Sequence, residues 1–175
     1  MTTNIRAGII TASDRAWRGE REDRSGLLLK SLLEAMSVEV ITYQVVPDEC
    51  KELKKIFCHV ADRFACDLII TTGGTGLGPR DHTPEATREV IDKEIPGISE
   101  ALRGMGMAKT PFSMLSRGIA GIRGKTLIIN LPGNPAAVRE AFEVLKPVLP
   151  HAVELVRGEV SDCRTVSQSL SHSSH

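Results

Sequence analysis

The stretch DLIITTGGTGLGPRDHTPE, residues 67–85, decides how the rest of this 175-residue chain is read. An apolar, β-branched run (Leu68, Ile69, Ile70) passes into two threonines, then into a loop holding Gly73, Gly74, Gly76 and Gly78. Thr83-Pro84 follows as a helix-opening signal. A strand that gives way to a glycine loop and then to a helix is a unit of an α/β sheet. Glycine loses more backbone entropy on folding than any other residue, so a cluster of glycines marks backbone that must bend sharply or approach something closely.

Upstream, residues 5–12 (IRAGIITA) form a short apolar run that stops at Ser13-Asp14-Arg15, as a buried parallel strand does. WRGERED, residues 17–23, is polar and expected to be mobile. Beyond a start signal at Asp23 or Ser25, Leu28, Leu29, Leu32, Leu33 and Met36 recur at helical spacing. Residues 38–46 (VEVITYQVV) alternate like a strand and end at Pro47-Asp48-Glu49. Leu53, Ile56, Phe57, Val60 and Phe64 then mark a second amphipathic helix, which also carries the Cys50, Cys58 and Cys66 series.

Downstream, Thr83 is expected to cap a helix reaching Ile91, with Pro84 in its first turn. A further helix covers residues 98–107. Residues 118–123 and 126–131, joined by Gly124-Lys125, read as a hairpin that places one antiparallel strand in an otherwise parallel sheet. Asn134-Pro135 opens another helix, and an apolar stretch at 148–156 completes the fold. These elements predict one domain over residues 1–160, an α/β fold with helices on both faces of a mostly parallel mixed sheet. The Ser/His-rich residues 161–175 are expected to be a disordered tail.

Composition narrows the function. Lys plus Arg and Asp plus Glu both number 22, and aromatic residues make up 3%, so the chain lacks the basic footprint and stacking platforms of a nucleic-acid binder. Neither a signal-peptide segment nor a membrane-length apolar run is present, and a cytoplasmic protein is expected. Cysteines spaced by eight residues sit about 80° apart around a helix and too far apart for a disulfide, so they read as reduced packing residues.

In open α/β sheets ligands collect beyond the carboxyl ends of the strands. Those ends are Ser13-Asp14-Arg15, Pro47-Asp48-Glu49, the loop from Gly73 to Thr83, and Pro132-Gly133-Asn134. Backbone N–H groups of a glycine loop and the amino end of a helix suit phosphate oxygens, and neighbouring carboxylates suit the magnesium that a polyphosphate brings. The ensemble reads as a nucleotide and metal site, with a purely structural glycine turn as the alternative. A Walker loop is excluded because Pro79-Arg80 follow Gly78, and a dinucleotide fingerprint begun at Gly74 meets Pro79 where its third glycine belongs. Arg15, Arg80 and Arg117 read either as surface charges or as contacts to phosphate or carboxylate, and His82 lacks a visible partner.

Taken together, GGTGLGPRDHTPEAT (73–87), VPDE (46–49), SDR (13–15), PFSMLSRGIAGIRG (111–124) and TLIINLPGNPAAV (126–138) resemble the molybdopterin adenylyltransferase family of MogA and MoaB type. The G domain of gephyrin and its plant counterpart are similar to it. The resemblance runs over nearly the whole chain less its tail. It implies a three-layer α/β/α fold, assembly as a homotrimer, and transfer of AMP from ATP, with Mg2+, to the terminal phosphate of molybdopterin. It assigns catalysis and metal binding to Asp48 and Asp81. Ser13, Asp14, Gly73, Gly74, Thr75, Gly76, Gly78, Pro132, Gly133 and Asn134 are implied to line the nucleotide and pterin pockets, with Ser116 and Arg117 on the pterin side. Molybdenum insertion is left to a separate partner protein. The alternative is a non-catalytic MoaB-like pterin-binding or scaffold module.

Overall fold

The computed structural model describes residues 4–159; the tail at 161–175, Cys163 included, lies outside the described residues. The chain runs β1 (Arg6–Ala12), α1 (Asp14–Trp17), α2 (Arg24–Ala35), β2 (Glu39–Val46), α3 (Cys50–Arg63), β3 (Leu68–Thr72), α4 (Thr83–Val90), β4 (Lys93–Glu94), α5 (Pro96–Met107), β5 (Ala120–Arg123), β6 (Thr126–Leu131), α6 (Pro135–Leu145) and α7 (Leu149–Arg157), with a 3-10 turn at Pro111–Leu115 between α5 and β5. The strands form a single sheet in the order β2-β1-β3-β6-β5-β4. β2, β1, β3 and β6 are mutually parallel, and β5 pairs antiparallel with both β6 and β4.

Alternation along the strands divides the core into two halves. Ala7 and Ile9 of β1, Leu68 and Ile70 of β3, and Leu127, Ile129 and Leu131 of β6 face Leu29 and Leu33 of α2, Val138 and Phe142 of α6, and Val153 of α7. The intervening Ile10, Ile69 and Ile128 face Leu53, Phe57 and Val60 of α3 and Ala86 and Val90 of α4. Every one of these residues is buried. The period of two on the strands, met by apolar stripes on helices from both sides, accounts for the three layers.

Three local expectations need correction. Thr83 does not cap α4: the cap position is His82, without a side-chain cap bond, and the Thr83 hydroxyl instead donates to the Gly73 carbonyl at 2.9 Å. Its burial beneath the loop favours that acceptor over the helix end. Cys66 lies beyond α3, which stops at Arg63 because Ala65 turns left-handed (φ 46°). The Cys66 thiol, pushed up to about 11 by burial, donates to the Leu68 carbonyl, so it acts as a packing group. Part of the 17–23 segment is structured, with Trp17 ending α1 and Asp23 capping α2 by accepting from the Gly26 N–H at 2.9 Å. The two-residue edge strand β4 was too short to leave a period in the sequence.

β2 flanks β1 on one side and β3 flanks it on the other, so the chain reverses its direction of travel across the sheet between β1 and β3. The carboxyl ends of these strands border the crevice where a ligand has room.

Candidate active site

A polar cavity of about 360 Å³ occupies that crevice. Its lining includes Thr11 and Ser13 from the end of β1, Asp48 after β2, Thr72, Gly73, Gly74 and Asp81 from β3 and the glycine loop, and Gly133 and Asn134 after β6. Four strand ends separated in sequence thus converge on one space.

Two glycines set the shape of the loop. Gly73 (φ 89°) and Gly74 (φ 66°) are left-handed, and a β-carbon on Gly73 would stand 2.3 Å from the Ala12 carbonyl oxygen. Only glycine fits there. The Gly73 N–H donates to the Leu131 carbonyl (3.1 Å), and the Thr72 hydroxyl donates to the Pro132 carbonyl (2.9 Å), which brings the ends of β3 and β6 into line. Below the loop, a buried chain of side chains replaces apolar packing: the Asn130 amide donates to the hydroxyls of Thr71 and Thr87, and Thr87 donates to the Thr83 carbonyl. A fully satisfied polar network of this kind holds one arrangement.

Asp14 and Asp48 are locked together. The Asp14 N–H donates to Asp48 Oδ2 at 2.9 Å, and the Asp48 N–H donates to Asp14 Oδ1 at 3.1 Å. Arg80 reaches across from the glycine loop, with Nε and Nη2 on the two Asp14 oxygens (2.9 Å each) and Nη1 on Glu49 (2.6 Å). The Arg80 hydrogen bonds hold the Asp14 carboxyl below its ordinary range. Asp48 goes the other way, because burial and the nearby charges of Asp14 and Asp81 push its carboxyl up despite the Asp14 N–H and Arg80. Asp81 Oδ2 accepts the Gly78 N–H at 2.8 Å.

Asp48 Oδ1 is buried and has no hydrogen-bond partner among the described residues. An unpaired carboxylate oxygen under the charges of Asp14 and Asp81, on a residue that lines the same cavity as Asp81, has the chemistry to accept a cation. Asp48 and Asp81 therefore fit a hard divalent ion. Among the described residues no group of three His, Cys, Asp or Glu side chains could hold a metal alone.

The residues named from the sequence divide into three groups. Ser13, Gly73, Gly74, Gly133 and Asn134 line the cavity with the two aspartates. Asp14 lies behind Asp48, while Thr75, Gly76 and Gly78 continue the loop around Asp81; β-carbons on Gly76 and Gly78 would stand 2.8 and 2.9 Å from Asp81 Oδ2. Ser116 and Pro132 border a separate small cleft of about 50 Å³ beside Asn130 and Gly118, and Arg117 turns to the glycine loop, donating from Nε to the Gly76 carbonyl (2.7 Å).

Residues that the sequence reading did not select also line the cavity, among them Arg21, Asp23, Arg24 and Ser25. The cap at Asp23 was the available signal, but nothing local told that this end of α2 meets the end of β1. Tyr43 fixes that meeting by donating its hydroxyl to Asp23.

The profile of the family described as a probable molybdopterin binding domain matches residues 8–151. The chain is 42% identical over 156 residues to the molybdopterin adenylyltransferase of Helicobacter pylori strain J99, covering 88% of this chain and 89% of that protein. Among solved structures it is similar to the molybdopterin biosynthesis enzyme MoaB of Thermus thermophilus, with 53% identity, a TM-score of 0.84, and coverage of 88% of this chain and 97% of that one. The MoaB of Pyrococcus furiosus, described as a tungsten cofactor synthesizing protein, superposes with a TM-score of 0.81 at 33% identity, covering 90% of this chain and 99% of that one.

Proposed function

The chain belongs to the molybdopterin adenylyltransferase family, and from that premise we propose that it transfers AMP from magnesium-bound ATP to the terminal phosphate of molybdopterin, releasing pyrophosphate. The observation that carries this reading is Asp48, which lines with Asp81 a polar cavity walled by the glycine loop and whose buried Oδ1 has no partner among the described residues. A phosphate oxygen of molybdopterin attacks the α-phosphorus of ATP, and the bond from that phosphorus to the pyrophosphate oxygen breaks. No side-chain nucleophile is needed, so positioning and charge stabilisation carry the rate.

Asp48 and Asp81 would hold the magnesium, which when bound offsets phosphate charge and orients the triphosphate. Gly73 and Gly74, left-handed and hard against Ala12 and Thr83, bend the loop so that its backbone borders the space the phosphates would fill. The amino end of α4, which follows the loop, adds a partly positive field. Arg80, spent on Asp14 and Glu49, keeps Asp14 from competing for the metal.

The test is a single-turnover assay of adenylyl transfer with ATP, molybdopterin and Mg2+. Wild type is expected to form adenylyl-molybdopterin and pyrophosphate. Asp48→Ala and Asp81→Ala should each lose about 100-fold or more, the usual cost of removing one well-placed electrostatic group. Absence of transfer by wild type with all components present would overturn the proposal and leave a pterin-binding module.

We further propose a homotrimer acting in the cytoplasm and passing its product to a separate protein that inserts the metal. Among the described residues no helix is long and apolar enough to cross a membrane. Support for the trimer comes from an apolar groove of about 460 Å³ between α5 and α7, bordered by Ile95, Ile98, Val148, Leu155 and Val156. Val148 is 47% exposed, and so large an uncovered apolar face suits an interface.

A further inference from the structure

Arg117 is placed by the main chain before its side chain acts. The 3-10 turn at Pro111–Leu115 ends just ahead of it, and Arg103 of α5 steadies the following backbone by donating to the carbonyls of Ser116 (3.3 Å) and Gly118 (3.0 Å). The Arg117 N–H then donates to the Thr75 carbonyl at 2.8 Å, laying residue 117 alongside the glycine loop. From there Nε donates to the Gly76 carbonyl and Nη2 to the Asp81 carbonyl, each at 2.7 Å, while Nη1 pairs with Glu85 in the first turn of α4. One residue thus ties the loop at its start, its middle, its end and the helix that follows.

The geometry of the peptide unit gives this arrangement a consequence. In a trans peptide the N–H points opposite to the preceding C=O, and the described chain has no cis bonds. Because the carbonyls of Thr75, Gly76 and Asp81 turn toward Arg117, the N–H groups of Gly76, Leu77 and His82 must turn away from it. The ties therefore fix the direction of donors along the loop as well as its path. Glu85 would otherwise leave an unbalanced negative charge at the amino end of α4, the end that favours anions. Burial pushes the Glu85 carboxyl up, but its bonds to Arg117 outweigh burial and hold it below the ordinary range, so the arginine meets a charged partner.

We propose that Arg117 is a positioning residue for the triphosphate-binding loop, acting through the carbonyls of Thr75, Gly76 and Asp81 and through Glu85, and that it is not a ligand of the pterin. The inference rests on the proposed use of ATP, but it reassigns this residue from one substrate to the other. Its guanidinium is committed on three sides, and a lysine could not reproduce a planar fork of donors aimed at two carbonyls and a carboxylate.

The experiment measures equilibrium binding of Mg–ATP and of molybdopterin, separately, to wild type, Arg117→Ala and Arg117→Lys, together with hydrogen exchange over residues 74–82. Both variants are expected to bind ATP at least about tenfold more weakly, the order that follows from losing hydrogen bonds made by a charged donor. They should bind molybdopterin within about twofold of wild type and exchange the loop amides faster, and guanidinium added to Arg117→Ala should restore part of the ATP affinity. Weakened molybdopterin binding with ATP binding intact would overturn the inference. So would full rescue by lysine, equal loss of both ligands, or no change in either. Failure of wild type to bind ATP at all would instead defeat the proposed function, which keeps the two outcomes apart.

Discussion

Single atoms decide what each glycine of the loop is for, and the four are not equivalent. Gly73 is constrained by the backbone itself, being left-handed and within 2.3 Å of the Ala12 carbonyl oxygen from where a β-carbon would stand. Gly73→Ala should therefore destabilise the protein by at least about 2 kcal/mol, through strain that no side-chain movement relieves. The shift in the urea midpoint measures it, and an unchanged midpoint would contradict the geometry. Gly76 has no such backbone strain. Its added methyl would meet Asp81 Oδ2 at 2.8 Å, and that carboxylate would have to leave the Gly78 N–H. Gly76→Ala is thus expected to keep the fold within about 1 kcal/mol and to lower adenylyl transfer about tenfold or more, since a displaced electrostatic group loses most of its effect. Parallel denaturation and transfer assays separate the two glycines, and full activity in Gly76→Ala would mean that the placement of Asp81 is not critical.

At the scale of elements, α7 is tied to the sheet by an ion pair. Arg157, in its last turn, holds both oxygens of Asp67 at the start of β3 (Nε to Oδ1 2.7 Å, Nη2 to Oδ2 2.6 Å) and also donates to the Asn4 carbonyl. The two side chains are only 13% and 17% exposed, so solvent screens the pair weakly. Burial pushes the Asp67 carboxyl up, but Arg157 and the Arg6 N–H outweigh it and leave it below the ordinary range. A depressed folded-state value stabilises the fold fully above the unfolded carboxyl range near 3.9, and this stability is lost as the pH falls through the lower folded value. Asp67→Asn is expected to cost about 2 kcal/mol at neutral pH and much less once the pH has fallen below the depressed folded-state value, because the wild type loses the pair there too. Thermal unfolding followed from neutral pH down through the acid range tests this, and a difference that never narrows as the pH falls would show that the pair contributes through packing alone.

For the whole molecule, the groove between α5 and α7 is the feature the isolated chain leaves unexplained. Sedimentation or light scattering should report three copies of the 19.0 kDa chain, and Val148→Lys, placing a charge at a position 47% exposed, should shift the protein toward monomer while leaving each copy folded. A monomeric wild type at micromolar concentration would refute the trimer.

The sequence by itself determined the layered α/β architecture, since β-branched runs such as LIITT and TLIINL, helical stripes such as Leu29 and Leu33, and the Asn134-Pro135 cap are all local signals. It also placed Asp48, Asp81 and the glycines at strand ends, because a strand must stop where its apolar run stops. Tertiary structure alone decided the rest. The order β2-β1-β3-β6 makes the crevice, the Asp14–Asp48 lock leaves one carboxylate oxygen bare, α2 brings Arg24 and Ser25 to the cavity wall, and Arg117 turns to the loop. Periodicity and capping act over a few residues, so they can be read along the chain. A guanidinium chooses among acceptors 32 to 41 positions away by distance and direction, and those exist only once the layers have packed.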